Sequence, residues 1–229
     1  MYSTNVDLIE IVAKGLGPLR TEVVFVGGAT TSFYVKDSVV KSIRATDDVD
    51  CIIEMASRNE YYKISEKLRN SGFKEVAEDK SPLCRWRFSG VLVDIMPTDP
   101  AILGFSNKWY KDGIANAQTI KLPSKIEIAI LSLPYFLATK LEAFKGRGKG
   151  DYRCSNDIED IVTVIDGNPA IKEIIEKSPA KIKDYLHKEI ALLAGDKDFM
   201  DSIIGHISDR AIAAQRAKIV ENRVGTLHE

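Results

Sequence analysis

Apolar and polar positions in the first half of the chain follow both helical and strand-like spacing. Leu8, Ile11 and Val12 recur at helical intervals, whereas the β-branched run at residues 22–26 ends at a pair of glycines, as a buried strand does. The pattern predicts helices at residues 7–13, 29–35 and 59–70, and strands at residues 22–26, 48–54, 74–77, 85–88 and 91–96. Ser89-Gly90 is expected to form the tight turn between the last two strands.

The second half of the chain has helical spacing. Leu137, Leu141 and Phe144 recur at core spacing after Pro134, a residue suited to the first turn of a helix. Glycines in the basic segment at residues 145–150 (KGRGKG) are expected to break that helix. Further helices are predicted at residues 156–165, 171–177, 180–194, 199–207 and 209–222.

The two halves together predict an α+β protein. A mixed sheet with flanking helices is expected at residues 1–125, followed by a C-terminal helical region at residues 126–229. The formal net charge is −1, so no overall basic field indicates nucleic-acid binding. The three cysteines lack the spacing of a zinc site or a disulfide framework, and we see neither a signal peptide nor an apolar run of membrane-spanning length. These features predict a cytoplasmic protein with no membrane partner.

Two aspartates share one face of the strand predicted at residues 48–54. Because side chains alternate along a strand, Asp48 and Asp50 point to one face, and Val49 and Cys51 point to the other. Two ionised carboxylates about 7 Å apart repel each other. Bound Mg²⁺ or Mn²⁺ removes that repulsion, since hard cations prefer oxygen ligands. For an isolated Asp-x-Asp, a merely solvated strand end is the simpler interpretation, so the metal site depends on two further features.

The first feature is the strand that runs into Gly27 and Gly28. Glycines let a ligand approach the backbone closely, and the N-terminus of a following helix favours phosphate. Thr30 and Thr31 offer hydroxyl donors to a triphosphate. An ordinary strand-to-helix turn is the alternative interpretation.

The second feature is Asp94, which lies among the apolar residues of the strand VLVDIM. A buried carboxylate is costly without a partner. If this strand neighbours the one that carries Asp48 and Asp50, Asp94 completes a metal-binding triad. The alternative is an ion pair with Arg85 or Arg87.

The order of these motifs is distinctive. The strand and glycine pair are followed by Arg44-Ala45-Thr46-Asp47-Asp48-Val49-Asp50 and by the strand-borne Asp94, and further on by LATKLEAF with Lys140, by Arg147 and by the acidic helix start NDIEDI with Asp157. This order resembles the DNA polymerase β-like nucleotidyltransferase superfamily, and most closely its AbiEii/AbiGii-type toxin nucleotidyltransferases, over roughly residues 22–165. Gly28 departs from the more widespread Gly-Ser signature of the superfamily.

The resemblance implies a nucleotidyltransferase-type sheet and a site for each reactant. Asp48, Asp50 and Asp94 would be the catalytic residues and the ligands of Mg²⁺ or Mn²⁺. Nucleotide contacts are implied for Gly27, Gly28, Thr30, Thr46, Lys140, Arg147 and Asp157. Two of these have an alternative explanation: Lys140 extends to solvent from an apolar stripe, and Asp157 complements the dipole of its helix.

The resemblance also implies the reaction and the partners. An NMP unit would pass from an NTP to an acceptor hydroxyl. The implied acceptor is RNA, particularly the 3′ end of tRNA, with the C-terminal helices and residues 145–150 as its platform, and an antitoxin protein is a further implied partner. One alternative is a small-molecule or protein acceptor. A second is a catalytically silent nucleotide-binding module of the same fold, against which the three clustered acids argue.

Overall fold

The centre of the sheet is formed by two apolar strands, β2 (Asp48–Ile53) and β5 (Val91–Pro97), which pair in parallel. The computed structural model describes residues 4–40, 43–55, 57–77 and 81–228. The other strands in these residues are β1 (Val23–Val26), β3 (Lys74–Glu75), β4 (Arg85–Phe88), β6 (Gln118–Lys121) and β7 (Glu127–Ile130). They form one mixed sheet in the order β3-β4-β5-β2-β1-β7-β6.

Four α-helices are interspersed with the strands, and six follow the last strand in the described part of the chain. The first four are α1 (Asn5–Leu16), α2 (Arg58–Asn70), α3 (Pro100–Leu103) and α4 (Tyr110–Ala115). The others are α5 (Leu133–Arg147), α6 (Asn156–Gly167), α7 (Ile171–Glu176), α8 (Ala180–Gly195), α9 (Lys197–His206) and α10 (Ala213–Thr226). Short 3₁₀ helices lie at Gly17–Thr21 and Gly28–Tyr34. The protein is therefore α+β with a mixed sheet, as the sequence predicts.

The chain divides into two compact units. The first consists of Met1–Thr30 and Ala45–Ser132, and the second of Thr31–Arg44 and Leu133–Glu229. The sequence predicted a single division between residues 125 and 126. That prediction left Thr31–Arg44 in the first unit. The contacts that place this segment in the second unit are made with residues far along the chain, which the sequence pattern does not identify.

In the first unit, strand β2 has one apolar and one acidic face at its start. Val49 and Cys51 are fully buried, whereas Asp48 and Asp50 are half-buried on the opposite face, as the period of two predicts. Helix α1 packs against β2 and β5. It begins at a capping box in which the Thr4 hydroxyl accepts from the backbone N–H of Asp7, and the Asp7 carboxylate accepts from the backbone N–H of Thr4.

The predicted turn between β4 and β5 is confirmed. Ser89 and Gly90 both have positive φ angles, 48° and 85°, and Phe88 pairs directly with Val91. Two such residues form the turn that matches the twist of a hairpin. This turn places β4 antiparallel to β5, with Arg85 opposite Asp94.

In the second unit, α5 and α6 form the core. One hydrogen bond runs from the Asn168 side-chain amide to the carbonyl of Tyr34, and another from the backbone N–H of Lys36 to the carbonyl of Gly167. A Cβ atom at Gly167 would overlap Val35, so the glycine permits this close approach. These contacts hold the segment Thr31–Arg44 within the helical unit.

Several elements differ from the sequence prediction. Helices α3 and α4 and strands β6 and β7 lie in a region where no element was predicted, because these pieces are too short for periodicity to identify. Helix α5 continues through Gly146 to Arg147, so the basic segment 145–150 begins within a helix. Helix α10 begins at Ala213, whereas the sequence predicted a start at residue 209.

Candidate functional site

Three carboxylates meet where β2 and β5 lie side by side. The parallel register places Asp50 directly opposite Asp94, and Asp48 lies two residues earlier on the same face of β2. One carboxylate oxygen from each of the three residues lies within 4.8 Å of the other two. The structure therefore brings together Asp48, Asp50 and Asp94, the three residues that the sequence predicted as a cluster.

The cluster is held in place by hydrogen bonds from neighbouring polar groups. The Thr46 hydroxyl donates to Asp48 Oδ1 over 2.9 Å, and the backbone N–H of Thr46 donates to Asn5 Oδ1 over 3.1 Å. Asp94 is 7% exposed, so its carboxylate has a fixed environment. Thr46 was predicted to contact nucleotide, and in this structure its side chain orients Asp48.

Arg85 on β4 supplies positive charge to the cluster. Its Nε and Nη2 donate to the two oxygens of Asp94 over 2.8 and 2.7 Å, and Nη2 also lies 3.4 Å from Asp48 Oδ2. The hydrogen bond to Asp94 raises the pKa of Arg85 further above its ordinary value, although burial acts in the opposite direction. The ion pair that the sequence left as an alternative is thus present within the carboxylate cluster itself.

The donor set suits a hard divalent cation. Carboxylate oxygens are the ligands that Mg²⁺ and Mn²⁺ prefer, and three of them converge within 4.8 Å. The Arg85 guanidinium balances part of the same negative charge, so a bound cation and Arg85 would compete for the oxygens of Asp48 and Asp94. A metal site and an internally neutralised cluster both fit these residues.

The turn after β1 lies against the cluster. Gly27 has a φ of 74°, and a Cβ atom at this position would overlap Oδ2 of Asp50. Only glycine combines this conformation with such a close approach. The glycine pair in the sequence therefore does indicate a position that needs glycine. The side chain that excludes a Cβ there is Asp50, one of the three predicted carboxylates.

Thr30 takes part in the turn itself. Its hydroxyl and its backbone N–H both donate to the carbonyl of Gly27, over 2.9 and 3.2 Å, and the residue is fully buried. This differs from the predicted contact with a triphosphate, because the hydroxyl is directed into the turn. Gly28 begins a 3₁₀ helix, which lacks the regular dipole of an α-helix expected after the glycine pair.

A second polar cluster lies in the helical unit around Lys140. This residue is 6% exposed, and its Nζ lies 2.6 Å from Asp160 Oδ2 and 3.3 Å from Asp157 Oδ1. Arg147 donates to both oxygens of Asp157, over 2.8 and 2.9 Å, and Arg44 donates to Asp160 over 3.3 Å. The alternative in which Lys140 extends to solvent is wrong, because its ammonium ends on buried carboxylates.

The cations of this second cluster keep the Asp157 carboxylate ionised. Burial acts to raise the pKa of Asp157, but the hydrogen bond from Arg147 and the charge of Lys140 outweigh it, so the pKa lies below its ordinary value. Sequence reasoning grouped Lys140, Arg147 and Asp157, which do contact one another. It assigned no role to Arg44 or Asp160, because their pairing depends on how the Thr31–Arg44 segment packs.

The basic segment at residues 145–150 is also largely paired. Lys145 Nζ lies 2.6 Å from Glu189 and 3.2 Å from Glu142, and Arg147 contacts Asp157. Although burial opposes it, hydrogen bonding to Glu189 and Glu142 raises the pKa of Lys145. Two cations that were expected to bind RNA are thus already engaged with carboxylates.

Comparisons with protein-family models and with curated proteins find no significant match to this chain. Within the described residues, none of the helices combines the length and the apolar character needed to cross a bilayer. The geometry of the two polar clusters is therefore the main indication of function.

Proposed function

We propose that this protein is a metal-dependent nucleotidyltransferase, which transfers an NMP unit from an NTP to an acceptor hydroxyl and releases pyrophosphate. The observation that carries the proposal is the convergence of Asp48, Asp50 and Asp94 on two adjacent strands beside the Gly27 turn. Three carboxylates on a rigid sheet, next to a backbone that only glycine can form, are suited to holding a metal–triphosphate complex.

The chain's own groups account for orientation and proton transfer. Asp48, Asp50 and Asp94 would hold Mg²⁺ or Mn²⁺, which supplies charge neutralisation of the triphosphate when bound. Thr46 keeps the Asp48 carboxylate in position. The acceptor oxygen bonds to the α-phosphorus while the bond from that phosphorus to the bridging oxygen of pyrophosphate breaks. Asp94 then accepts the proton of the acceptor hydroxyl.

Arg147 is an exposed cation of the helical unit. The Arg147 side chain is 72% exposed and remains anchored to Asp157, so it presents positive charge to solvent in a fixed place. Lys140 is buried between two carboxylates and would act by holding Asp157 and Asp160. Asp157 holds Arg147 and Lys140 holds Asp157, and a nucleotide contact by these residues remains a prediction.

The acceptor in this proposal is RNA, by resemblance the 3′ end of tRNA, and the resemblance extends the proposal to a toxin that pairs with an antitoxin protein. A cytoplasmic location belongs to the same proposal.

The experiment combines the purified protein with each α-labelled NTP, Mg²⁺ and total RNA, and resolves the products on a gel. Label should enter RNA with one or more NTPs. Asp50→Asn should abolish transfer, whereas Asp47→Asn should retain it, because the exposed Asp47 lies next to Asp48 without belonging to the cluster. Full activity of Asp50→Asn would refute the assignment.

One observation favours a second candidate, a catalytically silent module. Arg85 already neutralises Asp94 and contacts Asp48, which is the arrangement of a structural ion pair. Calorimetric titration with Mg²⁺ separates the two proposals. Heat of binding that disappears in Asp50→Asn supports the enzyme, whereas no binding together with no label transfer supports the silent module.

A further inference from the structure

A groove runs along helix α2 in the first unit. It has a volume of about 720 Å³, within the range of roughly 300–1,000 Å³ that ligand sites occupy. Its walls come from α2, from residues 75–77 and 81–83, and from α3 with the glycine that follows it. We call it the α2 groove. The lining residues used below are Arg58, Tyr61, Tyr62, Arg69, Leu83 and Arg85.

The α2 groove combines apolar surface with positive charge. Tyr62 is 64% exposed and Leu83 is 76% exposed. Three arginines also line the groove, namely Arg58, Arg69 and Arg85. Among the described lining residues, Glu75 is the one acidic side chain. An exposed aromatic ring among guanidinium groups is the combination that binds unpaired nucleotides, since bases stack on the ring and phosphates contact the cations.

The groove is built rigidly. The Tyr61 hydroxyl donates to the carbonyl of Leu83 over 2.9 Å, which ties α2 to the opposite wall. Burial raises the pKa of Tyr61 to about 12, so the hydroxyl keeps its proton at neutral pH. Arg69 lies 2.6 Å from Glu75 and over the ring of Trp86. Arg85 is likewise paired, with Asp94 and Asp48. The Arg58 guanidinium donates to the carbonyl of Ala101 over 3.4 Å, so it offers its positive charge to a ligand in the groove.

Arg85 is shared between the groove and the carboxylate cluster. Arg85 lines the groove and also contacts Asp94 and Asp48. In the sheet order β4-β5-β2-β1, Arg85 lies on one side of the carboxylates and Gly27 follows the strand on the other side. A triphosphate held at the glycine turn would leave the Arg85 side open to the acceptor.

We propose that the α2 groove binds the unpaired end of a nucleic-acid strand, with a base on Tyr62 and Leu83 and a phosphate on Arg58. The proposal that the strand end points towards Asp94 rests on the proposed function. The binding itself rests on the lining of the groove. This places the acceptor on the first unit, whereas the sequence placed it on residues 145–150.

The test measures binding of a short labelled single-stranded RNA by fluorescence anisotropy, without NTP or metal, using the full chain. Tyr62→Ala should weaken binding by roughly 5- to 150-fold, the equivalent of one stacked base, and Tyr62→Phe should restore it. Leu83→Ala should weaken binding more than Leu192→Ala, which removes a similarly exposed leucine, at 62%, from helix α8. Arg58→Ala should reduce the salt slope by about 0.7.

Three results would overturn the inference. These are wild-type affinity in both Tyr62→Ala and Arg58→Ala, absence of single-strand binding by the wild-type protein, and equal binding of a blunt duplex. The first would leave the proposed transferase reaction untouched. Conversely, loss of RNA binding in Tyr62→Ala would support the groove even if no NTP were used as a substrate. Thermal melts of each variant confirm that these exposed substitutions leave the fold intact.

Discussion

Replacing Arg85 by glutamine tests whether the carboxylate cluster depends on its internal cation. In the metal-free protein the change removes two charge-assisted hydrogen bonds to Asp94 and leaves three carboxylates with oxygens within 4.8 Å of one another. Hydrogen bonds to charged groups contribute about 1.5–3 kcal/mol each. Because Arg85 is partly exposed, we take the low end and expect a loss of about 3 kcal/mol in the free energy of unfolding.

Binding of Mg²⁺ to the carboxylate cluster should reverse the loss of stability in Arg85→Gln. A loss of about 3 kcal/mol corresponds to a decrease in Tm of roughly 6–12 °C for a chain of this size. A cation that binds the folded state at about 100 times its Kd contributes about 2.7 kcal/mol. Mg²⁺ should therefore restore most of the stability of Arg85→Gln, and should stabilise this variant more than the wild-type protein, in which Arg85 competes for the same oxygens.

Calorimetric melts in chelator and across a Mg²⁺ series provide the measurement. The control is Lys74→Gln, which removes an exposed cation from strand β3 of the same sheet and should change neither the melt nor its response to metal. If Arg85→Gln melted like the wild-type protein in chelator, the ion pair would contribute nothing. If Mg²⁺ raised the Tm of Arg85→Gln and of the wild-type protein equally, Arg85 and the cation would not share a site.

Two further predictions concern the glycine turn and the second cluster. Gly27→Ala should abolish nucleotidyl transfer, because its Cβ overlaps Asp50 and its φ is positive. Gly17→Ala, also at positive φ but with open space around the Cβ, is the control that keeps activity. Retained transfer by Gly27→Ala would remove the turn from the site. The pKa of Asp157 is lower in the folded state than its ordinary value, so its stabilising contribution is present above about pH 4 and is lost as the pH falls through the folded pKa. Asp157→Asn should therefore lower stability at neutral pH and flatten its decline under acid, as urea titrations across pH would show; parallel curves for the two proteins would contradict this.

The sequence was sufficient to group the acidic residues because local rules act on each of them. The period of two along a strand places Asp48 and Asp50 on one face, and the cost of burying Asp94 requires a partner. The glycine pair signals a backbone that other residues cannot adopt. The inferences about the strand face and the glycine pair need no knowledge of distant contacts, whereas the grouping of Asp94 with the other two was conditional on the pairing of β2 with β5.

What the sequence left open depends on pairings between distant segments. Arg85 and Arg87 are equivalent in the sequence, and only the register of β4 on β5 places Arg85 opposite Asp94. The Tyr61–Leu83 contact that builds the α2 groove joins residues on separate elements. The Thr30 and Thr46 hydroxyls donate to the Gly27 carbonyl and to the Asp48 carboxylate. Spacing along the chain does not distinguish a hydroxyl bonded within the protein from one that contacts a ligand.

The segment Thr31–Arg44 has a consequence for how the chain folds during synthesis. It emerges from the ribosome roughly 90 residues before Leu133, which at about 5–20 residues per second is a delay on the order of 5–20 s. The ring of its buried Tyr34 packs on Phe136, and the Tyr34 carbonyl accepts from the Asn168 side chain, so both contacts form only after those later residues have been made. The first unit is likewise interrupted, because β2 follows this segment. Neither unit is a continuous stretch of chain, so truncation at the boundary between residues 132 and 133 would leave the helical half without a strip of its core.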